Sequence, residues 1–172
     1  LKDKIAVVVG AGQSPGEGVG NGRATAMVFA REGANVACVD MNLDRAEETA
    51  AIIRGEGNKA FALSADVTKE ATLKAMVDAV MAKCGRIDIL HNNVGVSIAG
   101  GDKPLEDLTE DDFDRCNAIN LRGMIMTCKH VVPVMRAQKS GAIVNISSMA
   151  VRDRYPLVVY KTSKAGVVAL TE

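Results

Sequence analysis

Residues 4–10, KIAVVVG, form an apolar, valine-rich run that stops at a glycine, and six glycines fall between Gly10 and Gly22. An unbroken apolar run of this length fits a strand buried on both faces, as in a parallel sheet. RATAMVFAREG at 23–33 then reads as a helix closed by Gly33. Strand, glycine loop and helix in that order place a phosphate at a helix N-terminus, where bare amides and the helix dipole favour an anion and glycine lets it approach. NVACVD at 35–40 is the second strand and ends in an acid. The distance of Asp40 from the loop suits a carboxylate that accepts hydrogen bonds from an adenosine ribose. Read alone, Asp40 is also a candidate helix or turn cap.

The remaining segments repeat the alternation. LDRAEETAAIIRGEG at 43–57 is an amphipathic helix, and KAFALSADV at 59–67 is a third strand with its turn. Thr68 is placed to cap the helix at 69–85. IDILHNNVG at 87–95 is the fourth strand, followed by a glycine-containing loop through Gly101. Thr109 and Asp112 form a capping-box pattern that opens a long helix to about Gln138, with Gly123 and Pro133 as candidate kinks. GAIVNISS at 141–148 reads as a buried fifth strand ending in hydroxyls, and Pro156 is expected to open the last helix. No hairpin signal interrupts this order. It predicts an α/β fold with a doubly wound parallel sheet between two helical layers, in a single domain over 1–172.

Composition narrows the partners. Lys plus Arg equals Asp plus Glu, at 21 each, which gives no electrostatic footprint for nucleic acid or an anionic membrane. No apolar run reaches membrane-span length, and no signal peptide is expected. Cys38, Cys84, Cys116 and Cys128 are widely spaced, as small apolar residues of a reducing compartment are. The expected location is cytoplasmic, and no metal site is expected. His91 and His130 lack ligand-spaced partners.

Tyr160 and Lys164 are four apart in YKTSK, so a helix sets them on one face. An ammonium beside a phenol favours the phenolate, which makes a proton donor and acceptor near neutral pH. A solvated surface pair has the same spacing. The preceding strand aims its terminal hydroxyls, Ser147 and Ser148, at the crevice this helix borders.

Taken together, these motifs resemble the short-chain dehydrogenase/reductase family from about Lys4 to Glu172. The marks are the loop ending GNGRATA, Asp40, Asp66-Val67, the NNVG stretch at 92–95, Asn120 in NLRG, Ser148, and Tyr160 with Lys164. The resemblance implies a Rossmann-like fold and hydride transfer between NAD(H) and a secondary alcohol or ketone, with NADP less favoured. It implies that Tyr160 exchanges the proton of the reacting oxygen. Lys164 would favour the phenolate and hold the nicotinamide ribose, Ser148 would orient the reacting oxygen, and Asn120 would hold a relay water. Gly10, Gly12, Gly20, Asn21 and Gly22 would line the phosphate loop, with Asp40 on the ribose. Asp66 would meet the adenine and Val67 pack on it, with Asn93 and Gly95 lining the crevice. It also implies a homodimer or homotetramer through helices 109–138 and 157–172. A non-catalytic dinucleotide-binding scaffold and an epimerase or dehydratase are the competing readings.

The sequence departs from the family in several places. The glycine loop is long, so Gly10, Gly20 and Gly22 are preferred over Gly16, with an inserted bulge between and Glu17 turned from the pyrophosphate. Asn21 and Val94 stand where an apolar residue and alanine are usual. Ser147 stays an alternative to Ser148. Read alone, Asn120 is also a bend cap, both serines are also strand-end hydroxyls bonding backbone, and Asn92 and Asn93 are also turn formers. Arg152 and Arg154 are either anion contacts or solvated loop charges. The methionines and valines between Met124 and Met135 are read as core or subunit interface. The family's further strands and substrate lid are not in the sequence, so the C-terminal part is expected to be missing. The fifth strand would then be an uncovered edge and residues 1–172 alone insoluble or molten.

Overall fold

The computed structural model describes every residue except Ser14, Pro15 and Glu17. The expected direction of Glu17 lies outside the described residues. The strands are β1 (Ile5–Val9), β2 (Asn35–Asp40), β3 (Ala60–Ser64), β4 (Ile89–Asn92) and β5 (Ala142–Asn145). The helices are α1 (Asn21–Arg31), α2 (Leu43–Gly55), α3 (Glu70–Cys84), α4 (Glu110–Asn117), α5 (Gly123–Gln138) and α6 (Val158–Thr171). All strands pair in parallel in the order β3-β2-β1-β4-β5. This is the doubly wound Rossmann-like sheet that the alternation predicts. The chain winds outward to β3, then returns to place β4 against β1. That reversal leaves a crevice beyond the strand ends.

Strand alternation sends successive β1 side chains to opposite faces, and both are sealed. Val7 and Val9 join Val39 and Leu90 under Leu73, Met76 and Val80 of α3 and Val131 and Met135 of α5. Ala6 and Val8 join Val36 and Cys38 under Ala26 and Ala30 of α1 and Ala46, Ala50 and Ile53 of α2. Alanines dominate the second layer, so these two helices lie close to the sheet. Each fully buried valine contributes on the order of 1.5–3 kcal/mol. Val131 and Met135 of α5 are buried in the first layer, Met126, Val132 and Val134 pack half-buried against it, and Met124 is buried.

A buried acid pins the sheet's lower end. Asp88 Oδ2 accepts from the Ile5 amide (2.9 Å), and Arg86 binds both of its oxygens. Burial opposes its ionisation, but the Arg86 hydrogen bond and the Ile5 amide outweigh that and hold its carboxyl below the usual range.

Several local expectations change. Helix α1 begins at Asn21, with Gly20 as its cap, two residues earlier than the pattern suggested. Thr68 does not cap α3. It bonds Asp66, and the capping position falls to Lys69, which makes no side-chain cap. Pro156 lies outside α6, which starts at Val158. The capping box of Thr109 and Asp112 is formed, and the Lys103 and Thr109 bonds hold the Asp112 carboxyl down at about 2. The helix it opens is not continuous α. Residues 118–122 form a π turn in which the Gly123 amide reaches the Ala118 carbonyl, while Pro133 stays inside α5. Strand β5, apolar as a buried strand would be, is the uncovered edge expected within residues 1–172, and Val144 is 43% exposed.

Gly22 marks the tightest approach in the fold: a Cβ there would fall on the Gly10 carbonyl oxygen and 2.7 Å from Asn93 Nδ2. Gly22→Ala should therefore cost about 3 kcal/mol or more, because neither the backbone oxygen nor the helix can yield cheaply. Gly55→Ala, at the open end of α2 with nothing near its Cβ, should be neutral or stabilise by up to about 1 kcal/mol. Urea melts of both variants check this; equal midpoints would show that the α1–β1 junction is loose.

Candidate active site

The crevice begins where β1 ends. Gly10 turns with φ +81°, beyond the reach of most side chains, and a Cβ on it would crowd Asn93 O at 3.0 Å. The Gly12 amide donates to Asp40 Oδ2 (3.1 Å), and a Cβ at Gly12 would press on that oxygen at 2.5 Å. Asp40 Oδ1 accepts from the Asn42 amide (3.0 Å). The acid at the end of β2 is thus bonded to the glycine loop. Thr49 donates to the Ala11 carbonyl (2.8 Å) and accepts from buried Arg23 (3.0 Å), which ties the loop's first turn to α1 and α2. The Gly20 amide, at the N-terminus of α1, donates to Gln13 Oε1 (2.7 Å). Asn21 is exposed at the start of that helix.

At the other side of the switch, Lys164 is 3% exposed. Its Nζ donates to the carbonyls of Ile146 (2.9 Å) and Val94 (3.3 Å), just past the ends of β5 and β4. Burial lowers its amine to about 8. A Cβ at Gly95 would meet Nζ at 2.8 Å, so only glycine leaves the amine its place. The Nζ lies 5.9 Å from the centre of the Tyr160 ring. The Ser147 hydroxyl donates to the Lys164 carbonyl (2.8 Å) and so holds α6 to the sheet. The Ser148 hydroxyl accepts from the Ala150 amide (3.1 Å) at the start of a short turn.

Asn120 sits in the π turn with no exposed surface. Its Oδ1 accepts from the Val96 amide (2.8 Å), and its Nδ2 donates to the Val96 carbonyl (2.8 Å) and to Ser163 Oγ (3.0 Å). Both amide hydrogens are committed, which leaves one lone pair on Oδ1. Asp66 accepts from the Thr68 hydroxyl and amide, and these bonds lower its carboxyl below the usual range. Val67 packs on the core and against Gly123. Asn93 Nδ2 reaches the Gly10 carbonyl (3.4 Å), whereas Asn92 is buried and donates to Asn145 Oδ1 (2.8 Å). Neither is merely a turn former.

The family model described as "short chain dehydrogenase" matches residues 4–172. The chain belongs to the short-chain dehydrogenase/reductase family. It is 40% identical to an uncharacterized oxidoreductase, YxbG, of Bacillus subtilis, over 100% of this chain and 60% of that protein. It is 38% identical to D-threitol dehydrogenase of Mycolicibacterium smegmatis, over 100% of this chain and 63% of that one. Among solved structures, it superposes with a TM-score of 0.89 on 7α-hydroxysteroid dehydrogenase complexed with NADH and 7-oxo glycochenodeoxycholic acid. That match has 35% identity and covers 99% of this chain and 63% of that one. The chain therefore spans less than two thirds of the length of these relatives.

Other parts of this short-chain dehydrogenase chain contribute less to the crevice. His91 is buried with Nε2 lacking a partner among the described residues, and His130 lies 3.1 Å from Glu70. Among the described residues no group of His, Cys, Asp or Glu gathers as a metal site, and no helix is long and apolar enough to cross a membrane. Arg152 and Arg154 are exposed. Sequence reasoning missed Gln13, Ser97, Asp102 and Tyr155. None of these falls at a strand end or on a periodic helix face, so no pattern pointed to them.

The Lys164 amine should titrate near 8, against its ordinary 10.5, because burial disfavours its charge. The folded chain then binds fewer protons than the unfolded chain between these values, so the lysine's contribution to stability rises with pH across that window. Carbon-13 NMR of labelled lysine follows the titration directly. A Lys164 midpoint indistinguishable from the surface lysines would show a solvated amine.

Proposed function

We propose that residues 1–172 form one dinucleotide-binding and catalytic unit of an NAD-dependent oxidoreductase acting on a secondary alcohol or its ketone. The observation that carries this reading is the Lys164 amine, buried beneath two strand ends and below the Tyr160 ring. A surface Tyr–Lys pair needs no such burial.

The residues present fit a dinucleotide. Gly10 and Gly22 make the close turn between β1 and α1, and the Gln13 side-chain Oε1 accepts the Gly20 amide at the α1 N-terminus as an anion's oxygen would. Gly10, Gly12, Gly20, Asn21 and Gly22 would flank the pyrophosphate and Asp40 the adenosine ribose. Asp66 and Val67 would border the adenine, and Asn93, Gly95 and Lys164 the nicotinamide ribose. When bound, the nicotinamide supplies or accepts the hydride. The protein positions the reactants and moves the proton. In oxidation Tyr160 takes the alcohol proton on its phenolate oxygen; in reduction it returns that proton to the carbonyl oxygen. The Lys164 ammonium stabilises the phenolate charge. Ser148 orients the reacting oxygen; the bond of the Ser147 hydroxyl to the Lys164 carbonyl supports Ser148 over Ser147 in that role. Asn120 offers its remaining lone pair to a relay water. Exposed apolar side chains on α4, α5 and α6, including Phe113, Ile125 and Val168, support pairing of these helices in a homodimer or homotetramer.

Tyr160→Phe keeps the ring and removes the proton. Turnover should fall by roughly 10²–10⁴-fold with cofactor binding retained. Absorbance of reduced nicotinamide in a screen of secondary alcohols and ketones measures it. Unchanged turnover would remove Tyr160 from the chemistry.

Asp40 accepts from a ribose hydroxyl and repels a phosphate in the same place, so NAD should bind more tightly than NADP. Titration calorimetry with both cofactors decides. Equal affinity would mean that Arg45, which α2 brings beside Gly12, outweighs Asp40.

A further inference from the structure

Helix α6 lacks a cap of its own. Leu157 in the capping position makes no side-chain bond, and the first turn contains no acid. The missing acceptor comes from another part of the chain. Asp102, in the loop after β4, accepts the Tyr160 amide hydrogen on Oδ2 (2.8 Å). Asp102 is 3% exposed, and its Oδ1 is buried with no hydrogen-bond partner among the described residues. A buried carboxylate with an unsatisfied oxygen is an expensive cap, when Ser, Thr, Asn or Asp at position 157 would serve locally in water.

The same loop touches the Lys164 and Asn120 side chains and approaches the Tyr160 ring through Tyr155. Gly95 gives Lys164 its place, and Asn120 clasps Val96 through both the amide and the carbonyl. Ser97 Oγ lies 3.0 Å from the Tyr155 hydroxyl, and the Tyr155 ring stands 5.5 Å from that of Tyr160. Gly101 turns the loop with φ +93°, and the Asp102 amide closes it on the Ser97 carbonyl (3.2 Å).

We propose that Asp102 is a positioning residue for Tyr160: its bond to the Tyr160 amide fixes the first turn of α6 and thereby the place of the phenol relative to Lys164. The negative charge also suits the positive end of the α6 dipole. The proposal rests on the reading of Tyr160 as the proton-transfer residue.

Nuclear magnetic resonance on the full-length protein, with its tyrosines labelled, tests the contact without turnover. In the wild type the Tyr160 amide should exchange with solvent more slowly than that of Val158. Asp102→Ala should abolish this protection and the contacts between the two tyrosine rings. Asp102→Asn should keep both, because an amide oxygen accepts the same bond. Kinetics with NAD and cyclohexanol then test the consequence. Asp102→Ala should lower kcat by about 10²-fold, as a small misplacement of a reacting group does. KM for NAD should be unchanged, and Asp102→Asn should restore most of kcat. Rapid exchange of the wild-type Tyr160 amide overturns the proposal, and so does an Asp102→Asn variant as impaired as Asp102→Ala. Where Asp102→Ala fails to fold, an Asp102→Asn variant with kcat about 10²-fold below the wild type overturns the proposal. If Tyr160→Phe loses turnover while Asp102→Ala keeps it, Asp102 alone is dismissed. If Tyr160→Phe keeps turnover, the parent reading falls with it.

Discussion

An ammonium group beneath the ends of two parallel strands is costly, and much of this crevice exists to hold it. Burial pushes the Lys164 amine down to about 8, while the carbonyls of Val94 and Ile146 give its hydrogens somewhere to go. Those carbonyls stand together because β4 and β5 pair in register, Asn92 beside Asn145, with the Ile146 amide continuing the ladder to the Asn92 carbonyl. The Ser147 hydroxyl then fixes the lysine's own backbone. Strand pairing, a serine and a glycine thus set the position of one charge, and α6 follows from that charge.

The π turn has a comparable effect on α4 and α5. An ordinary helix through 118–122 would carry Asn120 onward without the wider loop that seats it. Here Asn120 is fully buried and bonds both backbone groups of Val96. The loop after β4 is therefore held by Asn120 of the π turn and Lys164 of α6 as well as by its own turn at Ser97–Asp102. Its alignment with α6 is a property of tertiary contact.

What the sequence made legible follows from this distinction. The β-α alternation, the apolar β1 run and the capping box of Thr109 and Asp112 are local signals, and they were readable to within a few residues. The same holds for Gly10, Gly22 and Asp40, which lie at strand or helix ends where the chain geometry is fixed. The serines could not be told apart by spacing alone. Their settings differ by the hydrogen bond from Ser147 to the Lys164 carbonyl, which spans 17 residues. Asp102 was illegible for the same reason: its partner lies 58 residues away. The π turn escaped because Gly123 and Pro133 carry the usual signs of a kink, whereas Asn120 carries none. The Thr68 cap was plausible locally but lost to Asp66, whose carboxylate bonds the same hydroxyl.

The strand order also has a kinetic meaning. β1 pairs with β2 across the short span of α1, but its other neighbour, β4, arrives only after α2, β3 and α3. The Ile5–Asp88 bond closes a separation of 83 residues. Loop-closure entropy grows only slowly with length, so this seam costs little in stability. It weighs more on rate, because long-range parallel pairing must wait for the intervening chain. During synthesis the glycine loop and Asp40 can therefore meet well before β4 emerges. The two halves of the crevice are assembled at different times, and the seam that joins them depends on the most distant partners in the sheet.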